Sequence, residues 1–138
     1  MLRLVAARGW EKQLHIDSAG THGYHVDSPP DSRSQAHAAR RGYDLSPLRA
    51  RRVVKADFAQ FDRILAADHD NMRFLTAMSA PQYHGKLELM MRYAPQHEAD
   101  IVPDPYYGGA AGFEHALTYI EDACQGLLED LGKQLALK

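Results

Sequence analysis

Asp104-Pro105-Tyr106-Tyr107-Gly108 puts one carboxyl group beside two adjacent aromatic rings on a loop. Pro105 restrains the backbone next to Asp104. Rings nearby would partly dry the carboxyl, and desolvation favours its protonated form, so Asp104 is a candidate general acid. Two adjacent tyrosines on a loop are costly to leave in water unless they line something. The same residues also suit a plain Asp-Pro turn with two surface tyrosines.

A second motif, Asp17-Ser18-Ala19-Gly20-Thr21-His22-Gly23-Tyr24, follows a short apolar piece from Leu14 to Ile16 that reads as a strand. Loops at the carboxyl ends of parallel strands are where α/β proteins bind ligands. Small residues there allow close backbone approach, and Tyr24 could wall a pocket; a plain strand-to-loop junction is the alternative. His22 and His25 suggest a metal pair, yet no third ligand is evident and surface histidines explain them as well. No metal and no cofactor is expected. Arg40, Arg41, Arg49, Arg51, Arg52 and Lys55 form a basic stretch. It suits either an acidic or phosphorylated partner or a solvated face.

The elements that would position these groups alternate between helical and strand periods. Met1 to Ala7 reads as the tail of a helix ending near Gly9. Ser32 and Gln35 have capping-box spacing and Gly42 supplies a stop, which predicts a helix from Arg33 to Arg41. Lys55 to Phe61 reads as a short helix and Ile64 to Ala67 as a buried strand. Asp70 can cap a helix running through Met78, and Leu87 to Met91 reads as a further strand. Asp100 to Gly112 reads as loop. Phe113, Ala116, Leu117, Ile120, Cys124, Leu127, Leu128 and Leu131 fall on one stripe of a last helix. Strands alternating with helices imply an α/β fold with a parallel sheet. The chain opens with a helix feeding a strand, where a βαβ unit would have an earlier strand.

The chain has 138 residues, 45% hydrophobic and 25% charged, which suits one domain over 1–138. Sixteen Lys plus Arg against eighteen Asp plus Glu leave a net charge of −2, so binding nucleic acid through the overall field is not expected. No apolar run approaches the ~18 residues of a membrane span, and no signal peptide is evident. One cysteine, Cys124, excludes an internal disulfide and fits a reducing, cytoplasmic setting.

Four segments taken together resemble the low molecular weight protein-tyrosine phosphatases. They are IDSAGTHGYHVDSPPDSRS (Ile16 to Ser34), RGYDLSPLRARRV (Arg41 to Val53), DFAQFDRILAADHDNMRFL (Asp57 to Leu75) and DPYYGGAAGFE (Asp104 to Glu114). The resemblance implies a small doubly wound parallel sheet flanked by helices. It also implies hydrolysis of phosphotyrosine through a cysteinyl-phosphate intermediate, without metal. Asp104 matches the family's general acid, which protonates the tyrosyl leaving oxygen and then activates water. Tyr24, Tyr106 and Tyr107 match the aromatic walls that would favour phosphotyrosine over the shorter phosphoserine. Ser18 matches a serine supporting the phosphate loop, and Asp68 and Arg73 match supporting positions. A phosphotyrosine protein is the implied partner; a bacterial tyrosine kinase is one the family suggests.

The family begins with a strand, a Cys-x-x-x-x-x-Arg-Ser loop and a helix, and that loop makes the anion nest and the attacking thiolate. This chain reads as starting within that first helix, truncated at its amino terminus relative to the family. Six residues after Cys124 stands Asp130, not Arg, and Cys124 lies on the apolar stripe, so a structural role is expected. Leu48, after Pro47, stands where the family usually has a histidine bracing the loop. The missing strand would lie between Leu14–Ile16 and Ile64–Ala67. Each buried backbone group left unpaired costs about 1–3 kcal/mol, against a total stability of about 5–15 kcal/mol. Weak folding, direct re-pairing of those strands or self-association through open edges is expected, and no activity from this polypeptide. An enzyme whose first segment lies upstream of Met1, a non-catalytic phosphatase-like binding protein and a nonfunctional fragment all stay open. An arsenate reductase would need further cysteines, and a phosphoarginine phosphatase would be expected to lack the paired tyrosines.

Overall fold

Ile64–Ala66 (β1) and Leu87–Leu89 (β2) pair in parallel, with Ile64 opposite Leu87, Leu65 opposite Glu88 and Ala66 opposite Leu89. The computed structural model describes residues 1–22, 26–103 and 109–137. A parallel pair needs a long crossover. Here it is the helix His69–Met78 followed by a 3-10 segment, Pro81–Lys86. The expected α/β class therefore holds: a small parallel sheet flanked by helices. These are α1 (Leu2–Ala7), α2 (Ser32–Arg40), α3 (Ala56–Gln60), α4 (His69–Met78) and α5 (Gly109–Gln134).

Helix starts are set by aspartates one or two residues earlier than the sequence pattern predicts. Asp31, not Ser32, caps α2, its carboxylate accepting from the Arg33 and Ser34 N–H groups. Gln35 instead reaches back to the Pro30 carbonyl. Asp68, not Asp70, caps α4, accepting from Asn71 N–H at 2.7 Å. In each case a side-chain oxygen satisfies donors that the first turn leaves orphaned. Gly42 ends α2 at φ +85° and Gly9 follows α1 at φ +70°, both left-handed positions that suit glycine.

Two predicted strands change. Leu14 to Ile16 is not a strand, and it does not re-pair with β1. Leu14 N–H closes a turn on the Trp10 carbonyl at 3.1 Å, and the segment is held by Leu14 and Ile16 packing on Val5, Trp10 and Leu128. An extended segment without a hydrogen-bonded neighbour is held by side chains, not by a ladder. The second strand stops at Leu89, because Met90–Tyr93 winds into a 3-10 turn that buries Met91. The predicted late loop ends earlier than Gly112, since α5 already begins at Gly109.

Three apolar clusters surround the sheet. Val53, Phe58, Ala66 and Leu75 fill the space between β1, α3 and α4. Val5, Trp10 and Leu128 join α1 to α5. Met91, Ala94 and Ala123 join the segment after β2 to α5. On α5, Phe113, Ala116, Cys124, Leu127 and Leu128 are buried as expected, but Ile120 is exposed and Ala123 takes its place inward. The helix meets α2, then the Met90–Ala94 segment, then α1, so its buried face is not one straight stripe. Among the described residues no helix is long and apolar enough to cross a membrane.

Candidate functional site

The carboxyl end of β1 is where three separate segments meet. The Ala67 carbonyl, just past the strand, accepts from Val102 N–H at 2.8 Å. Val102 stands two residues before Asp104 in the chain. Asp68 follows and opens α4 through its cap on Asn71. The Asn71 side-chain amide in turn donates to the Thr21 hydroxyl at 3.4 Å. The flank of the late loop, the start of α4 and the loop behind Gly20 thus share one end of the sheet, the usual place for a ligand in an α/β protein.

A charged brace holds the Gly20 loop from below. The Arg51 guanidinium forks onto Asp57, at 3.0 Å to Oδ2 and 3.1 Å to Oδ1. Its Nε also donates to Asp17 Oδ2 at 3.1 Å. Val54 N–H donates to Asp57 Oδ2 at 2.8 Å, which ties the first turn of α3 to the chain before it. Backbone bonds run beside this brace, from Gly20 N–H to Arg51 O at 2.8 Å and from Val53 N–H to Gly20 O at 2.9 Å. Beyond residues 23–25 the same strap continues, with Asp27 N–H on Ala50 O at 2.7 Å and Ala50 N–H on Ser28 O at 2.9 Å. Burial pushes the Asp57 carboxyl up, yet Arg51 and the Val54 N–H outweigh it and hold the group below the usual carboxylate range. The basic stretch is therefore not one solvated face. Arg51 is an internal brace, and Arg41 reaches Glu114 at 2.8 Å and Thr118 at 2.8 Å, tying α2 to α5.

The candidate residues fall into two groups. Ser18 is exposed, with its N–H on its neighbour Asp17 at 2.8 Å. Asp68 is half-buried at the converging end, where it caps α4. Arg73 is exposed on α4 and pairs with Asp70. Asp104, Tyr106, Tyr107 and Tyr24 lie outside the described residues. So does His25, while the His22 ring stands 6.4 Å from that of Phe74. Among the described residues no three His, Cys, Asp or Glu side chains gather where a metal ion could sit. Leu48 is exposed, at 36%. Sequence reading missed the Asp17–Arg51–Asp57 brace and the Asn71–Thr21 bond. No local signal marked the first, because an acidic residue at the head of a short helix is ordinary without any ion partner.

Cys124 points into the fold. It is buried on α5, and burial pushes its thiol above the ordinary range. A protonated thiol is a poor nucleophile, and burial on α5 keeps this one away from the surface.

The sequence pattern of the low molecular weight phosphotyrosine protein phosphatase family matches residues 1–137. The chain belongs to that family. A Synechocystis relative named for the same phosphatase class is 49% identical over 128 residues, spanning 92% of this chain and 81% of that one. The human low molecular weight phosphotyrosine protein phosphatase is 37% identical over 92% of this chain and 80% of its own. A solved protein tyrosine phosphatase from Entamoeba histolytica superposes with a TM-score of 0.91 at 35% identity, covering 96% of this chain and 84% of that one. In this phosphatase-family chain, the Thr21, Asp68 and Val102 segments meet at the carboxyl end of β1. The sheet has two described strands; the order β1–β2 and its parallel sense agree with the family's α/β fold.

Proposed function

We propose that this chain is the acid-and-wall portion of a phosphotyrosine phosphatase and that the 138-residue polypeptide alone turns over no substrate. Asp104 would protonate the tyrosyl oxygen as the phosphorus–oxygen bond breaks, and would then take a proton from the water that attacks the phosphoenzyme. Tyr24, Tyr106 and Tyr107 would hold the substrate ring, with Ser18, Asp68 and Arg73 in support. The nucleophile and the phosphate-binding arginine would come from a Cys-x5-Arg-Ser loop on a preceding strand. Residues 1–138 contain no such loop, and they are read as one domain lacking its inner strand. The substrate is a phosphotyrosine protein, such as a bacterial tyrosine kinase, in the cytoplasm.

The observation that supports this reading most is the convergence of the Thr21, Asp68 and Val102 segments on the carboxyl end of β1 in a chain of this family. The inactivity rests on Cys124, the single cysteine, being buried with a raised thiol. The test is an aryl phosphate and phosphotyrosine peptide assay on the 138-residue chain. No turnover is expected. Turnover that disappears in Asp104→Asn would overturn the inactivity. The positive arm extends the chain at its amino terminus by a strand and a Cys-x5-Arg-Ser loop. That protein should hydrolyse aryl phosphate, and Asp104→Asn should lower its kcat about 10²- to 10⁴-fold. Reading the coding DNA upstream of Met1 in frame checks whether such a segment exists, and an in-frame stop directly before Met1 counts against it.

A further inference from the structure

From residue 45 to residue 55 the chain carries Arg49, Arg51, Arg52 and Lys55 and no Asp or Glu. Arg51 spends its charge on Asp17 and Asp57. Arg49 and Arg52 are exposed and make no ion pair among the described residues. Arg49 donates to the Ser46 and Leu48 carbonyls, at 2.7 Å each, which fixes its guanidinium but leaves its charge uncompensated. Backbone alternation turns Arg52 outward. Arg51 reaches the Asp57 brace and Val53 is buried in the core, so Ala50, Arg52 and Val54 share the outer face of this extended segment.

The uncompensated cations coincide with exposed apolar groups. Of the six large hydrophobic residues exposed among the described ones, three are here: Val54 at 50%, Val26 at 47% and Leu48 at 36%. Val26 lies on the edge facing the strap, since the N–H of Asp27 beside it donates to the Ala50 carbonyl at 2.7 Å. Scattered singly, such residues need no explanation; grouped and rimmed by charge, they mark an interaction surface. Asp27 is the exposed acid at that end, and Asp44 is turned onto Ser46. The patch flanks the candidate site. Arg52 pairs with Gly20, one residue before Thr21, and the strap resumes at Asp27, so these contacts bracket the stretch of chain that contains Tyr24.

We propose that Val26, Leu48, Arg49, Arg52 and Val54 form a docking surface for a protein substrate, taking the acidic and aliphatic residues that flank its phosphotyrosine. The substrate role rests on the phosphotyrosine reading above. Carboxylates complement the two arginines, and aliphatic side chains cover the three exposed apolar groups. A nucleic acid offers charge but no aliphatic group, so it answers only half of the surface. Because the patch is exposed, each charge contributes modestly and is screened by salt.

The probe is a fluorescent peptide with Glu and Leu on both sides of a tyrosine, in plain and phosphorylated forms, titrated into the 138-residue chain. Saturable binding of the plain peptide is expected, with amide NMR shifts at Val26, Arg52 and Val54. Arg49→Gln and Arg52→Gln should each weaken it about two- to fivefold, as should raising NaCl from roughly 50 to 500 mM. Lys133→Gln, on the last turn of α5, should change nothing. Replacing Glu by Gln in the peptide should weaken binding about tenfold, since several charges are lost together. A Gln peptide that binds as well as the Glu peptide would overturn the proposal. So would indifference to salt and both arginine variants, shifts confined to other elements, or a single-stranded oligonucleotide of equal charge that binds as tightly. The plain peptide tests the surface without phosphotyrosine chemistry. If it docks as described while the amino-terminally extended protein leaves the phosphorylated peptide intact, the catalytic reading fails and the docking surface stands.

Discussion

A Cβ added to Gly126 of α5 would stand 1.9 Å from the carbonyl oxygen of Tyr93. That contact fixes how closely the long helix can lie on the 3-10 turn after β2. It sets the position of Met91 and Ala94 against Ala123, and so the third core cluster. The obstacle is backbone, which cannot rotate away as a side chain would.

Gly126→Ala should therefore destabilise the chain, although alanine is the better helix former. The separation needed is more than an ångström, so the expected loss is about 1–3 kcal/mol, as for an overpacked core. Urea denaturation of the two proteins measures it. Equal midpoints would mean that α5 can slide off the Tyr93 turn at no cost.

Asp57 makes stability depend on acid. Its folded pKa lies below the ordinary carboxylate value because Arg51 and the Val54 N–H outweigh burial. The stabilisation is complete above the unfolded pKa of about 3.9 and is lost as pH falls through the lower folded value. Asp57→Asn should cost about 1–2 kcal/mol at pH 7, discounted because Arg51 is a third exposed. It should also flatten the decline in stability between roughly pH 5 and pH 2. Melting temperatures across that range, for both proteins, check the sign.

Cys124 should react slowly with a thiol reagent, since it is buried and its thiol is pushed up. Iodoacetamide labelling at pH 8 is expected to be more than about tenfold slower in the native protein than in denaturant. In the extended, active protein proposed above, Cys124→Ser should leave kcat unchanged. A large fall in kcat would make this thiol part of the chemistry.

β1 pairs with β2 along one edge, and among the described residues no strand covers its other edge. Unpaired strand edges recruit other chains. Sedimentation of the 138-residue chain should show concentration-dependent self-association, reversed in the amino-terminally extended protein. A monomer with a cooperative melt at ordinary temperature would contradict this expectation.

Much of the fold was legible because the relevant signals are local. Gly42 closing α2, the apolar run at β1 and the long face of α5 each follow from neighbouring residues. The aspartate caps were missed by a residue or two because Asp31 beside Ser32, and Asp68 beside Asp70, offer competing oxygens at similar spacing. Which one reaches the first-turn donors depends on where the preceding chain enters. Leu14 to Ile16 has a strand's residues, but a strand needs a neighbour, and that information lies elsewhere in the chain.

The sequence by itself determined the family, through four ordered segments, and that its single cysteine has no arginine six residues on. Only the tertiary structure decided that Arg51 is an internal brace and Arg41 a tie to α5, and that Thr21 meets Asn71. These are relations between residues far apart in the chain or across packed elements. Periodicity and spacing report which residues share a face, while the partner that face meets is set by how the whole chain closes on itself.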